Sequence, residues 1–207
     1  MHPIHTTPGL IIHSRPYGEA GKLLSIFTRD FGLVLANAQG IRLEKSKLRP
    51  FIQDYSFGIF SLVKGKELWR LTSAQSVATN LQINTNAMPA HAGTNTSQPH
   101  LELFARLALL LKRLLQGEEP HAELFDVIML CKEFLQNTIN ISDEQVKTLE
   151  SLVVLRMMHS LGYIGKDILL DEHILSKVIS LELIDQLTGK RVVMNQHINK
   201  ALKESHL

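Results

Sequence analysis

The sequence predicts a two-domain α+β chain: an N-terminal β-barrel followed by a C-terminal α-helical bundle. Three observations carry this reading. Short apolar runs punctuated by glycine fill the first part of the chain, a polar proline-bearing segment follows at residues 84 to 100, and beyond it the apolar spacing becomes that of helices. Charge changes at the same place. Residues 1 to 83 hold ten Lys/Arg against five Asp/Glu, for +5, whereas residues 84 to 207 hold twelve against fifteen, for −3. The formal charge of +2 on the whole chain therefore conceals a basic first domain, which suits a polyanionic partner for that domain alone.

Five stretches in the first domain have strand length: GLIIHSRPYG, KLLSIFTRDFG, LVLANAQG, FIQDYSFGIFSLVKG and ELWRLTSAQSV. In KLLSIFT, Leu24, Ile26 and Thr28 fall on one face and Leu23, Ser25 and Phe27 on the other. Asp30-Phe31-Gly32 and Lys64-Gly65-Lys66 read as turns between neighbouring strands. Five short strands in so few residues suit a small barrel, and an OB-fold is the economical topology, giving a nucleic-acid-binding domain at 1 to 83. NTNAMPAHAGTNTSQPH, residues 84 to 100, is a linker or long loop.

Residues 101 to 207 read as the helical domain. Leu101, Phe104, Leu107, Ala108, Leu111 and Leu115 form one stripe that stops at Gly117. A second helix starts near Pro120 and carries Leu124, Phe125, Ile128 and Leu135. Ser142 and Gln145 make a capping box that opens a third helix, which runs to about Leu161-Gly162. Two more are expected over 171 to 187 and 192 to 202, about the turn Thr188-Gly189-Lys190.

Several function classes lose support. The most apolar helical run, LFARLALLLKRLL, is broken by Arg106, Lys112 and Arg113, and the N-terminus lacks the pattern of a secretory signal, so a cytoplasmic chain with no membrane partner is expected. A single cysteine, Cys131, cannot make an intrachain disulfide or a cysteine-cluster zinc site. The chain has ten histidines, and they are scattered, with His2 and His5 near the terminus, His91 and His100 in the linker, and His159, His173 and His197 in three different helices among them. No pair has HExxH spacing, and Asp171-Glu172-His173 reads as the acidic first turn of a helix, so no metal is expected. Nucleophile-elbow and dinucleotide motifs are absent. Gly65-Lys66-Glu67 lacks the upstream glycine and the Ser/Thr of a phosphate-binding loop. The acids of the first domain, Glu19, Asp30, Glu44, Asp54 and Glu67, stand singly, a poor start for a two-metal site. The balance favours a binding protein over an enzyme.

The feature that asks for a partner is GIRLEKSKLRPF, residues 40 to 51, where Arg42, Lys45, Lys47 and Arg49 crowd beside Pro50 and Phe51. Such density must face water or an anion. The segment lies between predicted barrel strands, in a domain that also carries Arg15, Lys22, Arg29, Lys64, Lys66 and Arg70, and this favours a polyanion. OB-folds track phosphates with cations and stack bases on aromatic rings. Tyr17, between Pro16 and Gly18, is the candidate stacking ring. Phe51, Tyr55, Phe57 and Phe60 serve equally well as the barrel's own core, and Trp69 is expected half buried.

Tyr17-Gly18-Glu19-Ala20, Lys22-Leu23-Leu24, Phe27-Thr28-Arg29 with Gly32, Ala38-x-Gly40-x-Arg42, Lys45-Ser46-Lys47-Leu48 and Gly65-Lys66-Glu67-Leu68, in this order and spacing, resemble the N-terminal domain of the bacterial RecO family, recombination-mediator proteins of DNA repair. The helical half resembles the family more loosely, in Glu123-Leu124-Phe125, Leu155-Arg156 and Leu161-Gly162-Tyr163. The resemblance implies an OB-fold and a helical domain that bind single- and double-stranded DNA and anneal complementary strands without covalent chemistry. It also implies action with RecR to load RecA on DNA coated by single-stranded-DNA-binding protein (SSB), whose acidic C-terminal tail is contacted too. It further implies a bacterial, nucleoid-associated location.

Lys22, Arg29, Arg42, Lys45 and Lys47 stand in the matching motifs and inherit a DNA-binding expectation; Arg49, Lys64 and Lys66 are added on charge and position. Two departures matter. Many family members carry a four-cysteine zinc module after the Leu-Gly-Tyr segment, where this chain reads IGKDILLDEHIL, so neither zinc nor another cofactor is expected. Gly21 replaces a usual Asp, and Gln39 a frequent Lys. Leu103 and Leu107 could line a partner pocket, though core packing explains them as well. An OB-fold protein that binds RNA in translation or ribosome assembly is the alternative, and a scaffold that docks an acidic protein is a third.

Overall fold

β1 (Ile4–Tyr17) is long enough to serve two ladders, and this organises the N-terminal unit of the computed structural model, which describes residues 2–76, 98–115, 117–165, 172 and 176–205. The first half of β1 runs antiparallel to β4 (Phe57–Lys64) and the second half to β2 (Gly21–Thr28). Gly9 lies in both ladders, opposite Thr28 and Gly58. A Cβ there would stand 2.9 Å from Ile26 Cγ2 and 3.0 Å from Phe60 Cδ2, so this close approach favours glycine. A register shift between Ile11 and His13 adds a bulge to the same strand.

β3 (Gly32–Ala38) pairs antiparallel with β2, then parallel with β5 (Trp69–Ser76) at Ala36 and Asn37. Since β5 also pairs with β4, the sheet closes in the order β1-β2-β3-β5-β4, the five-stranded barrel of an OB-fold. Inside lie Ile11, Leu24, Ile26, Val34, Ala36, Phe60, Leu62 and Leu71.

Leu23 and Phe27 are buried as well as Leu24 and Ile26, so β2 is covered on both faces. Phe104 of α1 (Gln98–Leu114) meets Phe57 of β4 edge-on at 5.4 Å, which shows this helix lying against the outer side of the barrel. β4 begins at Phe57 instead of Phe51, because a 3-10 turn takes Arg49–Phe51 and Tyr55 has a φ of 67°, which no strand residue adopts.

By compactness the chain divides into Met1–Asn95 with Phe104–Ala122, and Thr96–Leu103 with Glu123–Leu207. The expected boundary at 101 differs at Phe104–Ala122, which the Phe57 contact ties to the barrel. The expected linker lies outside the described residues except for 98 to 100, which open α1.

In the second unit, α2 (Ala122–Asn137) starts two residues after Pro120, and α3 (Asp143–Ser160) opens on the Ser142–Gln145 capping box, formed in both directions. α3 ends in a Schellman turn: Gly162, at φ 78°, donates to His159 O, and Tyr163 donates to Met158 O. α3 packs on α4 (Leu181–Thr188) and α5 (Arg191–Glu204), joined by Ser151 Oγ donating to Asn195 Oδ1 at 2.8 Å. Of the helix expected over 171 to 187, Glu172 is helical, and a separate helix begins at Leu181, where Ser180 caps it through Leu183 N. Residues 176 to 180 are irregular, and 171 and 173 to 175 lie outside the described residues. Arg156 of α3 donates from Nη2 to Val178 O at 3.1 Å, and burial lowers its pKa to about 10. Leu103 and Leu107, suggested as pocket residues, are fully buried core.

Candidate nucleic-acid interface

The basic segment is the β3–β4 connection, and it is held at both ends. Ile41 and Ile52, each 2% exposed, join the barrel core from either side of it, while Leu48 and Phe51 pack partly against the same core. Burying two isoleucines contributes roughly 1.5–3 kcal/mol each, enough to fix the ends of an otherwise polar loop. Backbone bonds add to the hold. Tyr55 N donates to Ile11 O at 2.7 Å and Ile11 N to Ser56 O at 3.0 Å, while a run of short turns, Leu43 N to Gly40 O and Ser46 N to Leu43 O among them, shapes the loop. The Ser56 hydroxyl closes the exit by donating to Gln53 O at 2.7 Å.

Between these anchors every basic side chain points outward. Arg42, Lys45, Lys47 and Arg49 are exposed and make no ion pair among the described residues. Arg42 N donates to Ala20 O at 2.9 Å, which fastens the segment to the β1–β2 turn. That turn carries Tyr17, 44% exposed, and Gly18 at φ 63°; Lys22 follows, half buried, with Nζ donating to Ser14 Oγ at 3.3 Å. A Cβ at Gly21 would stand 2.6 Å from Tyr17 O, so this backbone has no room there for a side chain. Tyr17, Lys22 and Arg42 thus share one end of the β2–β3 hairpin with the basic loop.

The remaining candidates lie at the other end. Lys22 pairs with Ala38, whereas Thr28, just before Arg29, pairs with Gly32, six residues away along β2. At strand rise this separates the two ends by about 20 Å. Arg29 is half buried there, and its N–H bonds Pro8 O. Lys66 is exposed in the β4–β5 turn. Lys64 is engaged: Nζ lies 2.8 Å from Glu118 Oε2 and 5.4 Å from the centre of the Trp69 ring. Its charge is offset by a carboxylate of its own chain, and the eight expected cations do not form one patch.

Glu118 escaped the sequence reading. Its other oxygen accepts from Trp69 Nε1 at 2.8 Å, and Trp69 is 3% exposed instead of half buried, with the His5 and Phe31 rings at 5.6 and 5.2 Å. Partial burial pushes the Glu118 carboxyl up, but the Lys64 and Trp69 hydrogen bonds and the Lys64 charge outweigh it and hold the group below the usual carboxylate range. Only the separation of 49 residues hid this contact.

Among the described residues no three His, Cys, Asp or Glu side chains gather as a metal site. Cys131 is buried, and that burial pushes its thiol pKa up, away from nucleophilic use. No described helix is long and apolar enough to cross a membrane.

Comparison with known proteins gives a consistent result. The family described as recombination protein O N terminal matches residues 1–80. A DNA repair protein RecO of Clostridium perfringens is 33% identical over 136 residues, 66% of this chain and 50% of the relative. One from Acaryochloris marina is 32% identical over 136 residues, covering 66% and 42%, and one from Desulfitobacterium hafniense 32% over 111 residues, covering 49% and 41%. This chain spans half or less of the length of these relatives.

Proposed function

We propose that this chain, whose residues 1–80 match the recombination protein O N-terminal family, acts in DNA repair and homologous recombination by binding DNA backbone through the β3–β4 loop. The observation that carries this reading is the loop itself: four exposed cations without ion pairs among the described residues, on a backbone anchored by Ile41 and Ile52 beside the exposed ring of Tyr17. Solvation alone does not call for a charged loop so firmly fixed. A phosphate backbone does, because cations held in place neutralise it without first losing chain entropy.

Single- and double-stranded DNA are both ligands in this reading, since phosphate contacts are indifferent to base pairing. Annealing follows from the same charge: two strands that repel in water approach once Lys and Arg displace their counterions. The helical unit then serves protein contacts, with RecR and the acidic tail of SSB as partners and RecA loading as the downstream result. No step requires an enzyme's chemistry, a metal or a membrane.

The test is a salt titration of binding to a labelled single-stranded oligonucleotide by the native chain and by a Lys45→Ala, Lys47→Ala, Arg49→Ala variant. Three lost phosphate contacts should reduce the slope of log K against log salt by about 2, at roughly 0.7 per contact. An unchanged slope and affinity would remove the loop from DNA. Preference for RNA over DNA of the same sequence in competition would move the protein to RNA chemistry, where the 2′-OH is read.

A further inference from the structure

A second cationic site lies on the outer face of the barrel, where no motif pointed. Strand alternation and register bring His13, Arg15, Leu23, Ser25 and Leu35 to one surface: His13 pairs with Ser25, Arg15 with Leu23, and Ser25 with Leu35 across the next ladder. With Lys112 of α1 they line a cleft of about 300 Å³. Its lining holds two permanent cations and no acid. Arg15 and Lys112 are exposed and make no ion pair among the described residues. Asp54, outside the lining, has Oδ2 3.6 Å from His13 Nδ1, so that carboxylate is turned to the histidine. Leu23 is buried and Leu35 is 44% exposed, giving an apolar floor under a cationic rim.

Position decides what such a cleft would take. The Arg15–Leu23 pair is next but one to Tyr17–Gly21 along the same ladder, so the cleft continues the surface that begins at the β1–β2 turn. A chain with an anion in every repeat and apolar sugar and base edges between anions suits a cationic rim on an apolar floor. We propose that the cleft binds a backbone phosphate of single-stranded nucleic acid, held by Arg15 and Lys112, and so extends the interface from the basic loop past Tyr17 onto β1, β2 and β3. This rests on the nucleic-acid reading above and adds to it a path for the strand. Arg15 supplies a forked donor for phosphate and Lys112 a point charge.

The experiment is the same salt titration on the full chain, now with Arg15→Gln/Lys112→Gln beside the loop variant, and with a charge-retaining Arg15→Lys/Lys112→Arg control. The cleft variant should lose about 1.4 from the slope, two contacts at roughly 0.7 each, and the control should recover it. Both side chains are exposed, so unchanged thermal melting is expected and confirms that folding is intact. A full slope in the cleft variant together with a reduced slope in the loop variant overturns the cleft proposal and leaves the nucleic-acid reading standing. A native chain without salt-dependent oligonucleotide binding overturns both. If the cleft variant keeps its oligonucleotide slope and loses binding to a poly-glutamate peptide, the site belongs to an acidic protein, and the proposal fails.

Discussion

Trp69 Nε1 donates to Glu118 Oε1 at 2.8 Å, while the other oxygen of the same carboxylate holds Lys64 at 2.8 Å. One exposed acid thus satisfies a donor inside the barrel and offsets a cation on its surface. Glu118→Ala leaves the buried indole N–H without a partner, which costs about 1–3 kcal/mol of stability. Glu118→Gln keeps an acceptor and should cost clearly less. Urea unfolding of both variants checks this, and equal losses would show that the charge matters more than the indole bond.

The same contact sets a pH dependence. The Glu118 carboxyl titrates below its ordinary range in the folded chain, so folding favours its ionised form. Its contribution is fully present above the unfolded carboxylate pKa and is lost as pH falls through the folded one. The stability gap between the native chain and Glu118→Gln should therefore be constant near neutrality and narrow through the acid range. Added salt should shrink it too, because the Lys64 pair is largely exposed. A gap that widens on acidification would contradict the assignment.

Glu118→Gln has a second expected effect, on binding. Lys64 loses its carboxylate and becomes available to phosphate, so the salt slope for oligonucleotide binding should grow by up to about 0.7 if a bound strand reaches that end of the barrel. No change would confine the interface to the end that carries Tyr17 and the basic loop.

How far the sequence announced all this depends on the range of the interactions. The Ser142–Gln145 box is complete within four residues, and it forms as expected. The basic loop was legible because its cations are adjacent, and the strands because alternation is local. Tyr55 at φ 67° was not legible: nothing in FIQDYSFG marks which residue turns left-handed, and the strand was therefore begun too early. Trp69 was misjudged because its covering partners, His5, Phe31 and Glu118, come from three distant segments. The interruption of the helix expected over 171 to 187 has a related cause: Glu172 is helical, 176 to 180 are irregular, and Ser180, whose side chain accepts from Leu183 N, opens a new helix.

Replacing either loop anchor separates position from charge. Ile41→Ala or Ile52→Ala removes a buried side chain that fills the barrel core, at a cost of about 2–5 kcal/mol. The cations remain, so the salt slope should stay near its native value while affinity falls, because a looser loop must lose entropy on binding. Binding measured at a temperature where both variants remain folded tests this. Native affinity despite the lost stability would mean that the loop does not need its anchors.

Tyr17 offers a test of the non-ionic part of the interface. Its ring is 44% exposed at the end of β1, next to Gly18 and two strand pairs from the Arg15 cleft. A ring so placed can stack a base, which is worth about 1–3 kcal/mol of affinity per base. Tyr17→Ala should thus weaken single-stranded oligonucleotide binding by about five-fold to about 150-fold, the same range as a ratio. Tyr17→Phe should restore it, since stacking needs the ring and not the hydroxyl. Because stacking releases no counterions, the slope of log K against log salt should be equal in all three chains. Duplex DNA, whose bases are already stacked, should show little loss with Tyr17→Ala. An equal loss for duplex and single strand, or a slope that falls with the ring, would show that Tyr17 supports the backbone contacts and stacks on nothing.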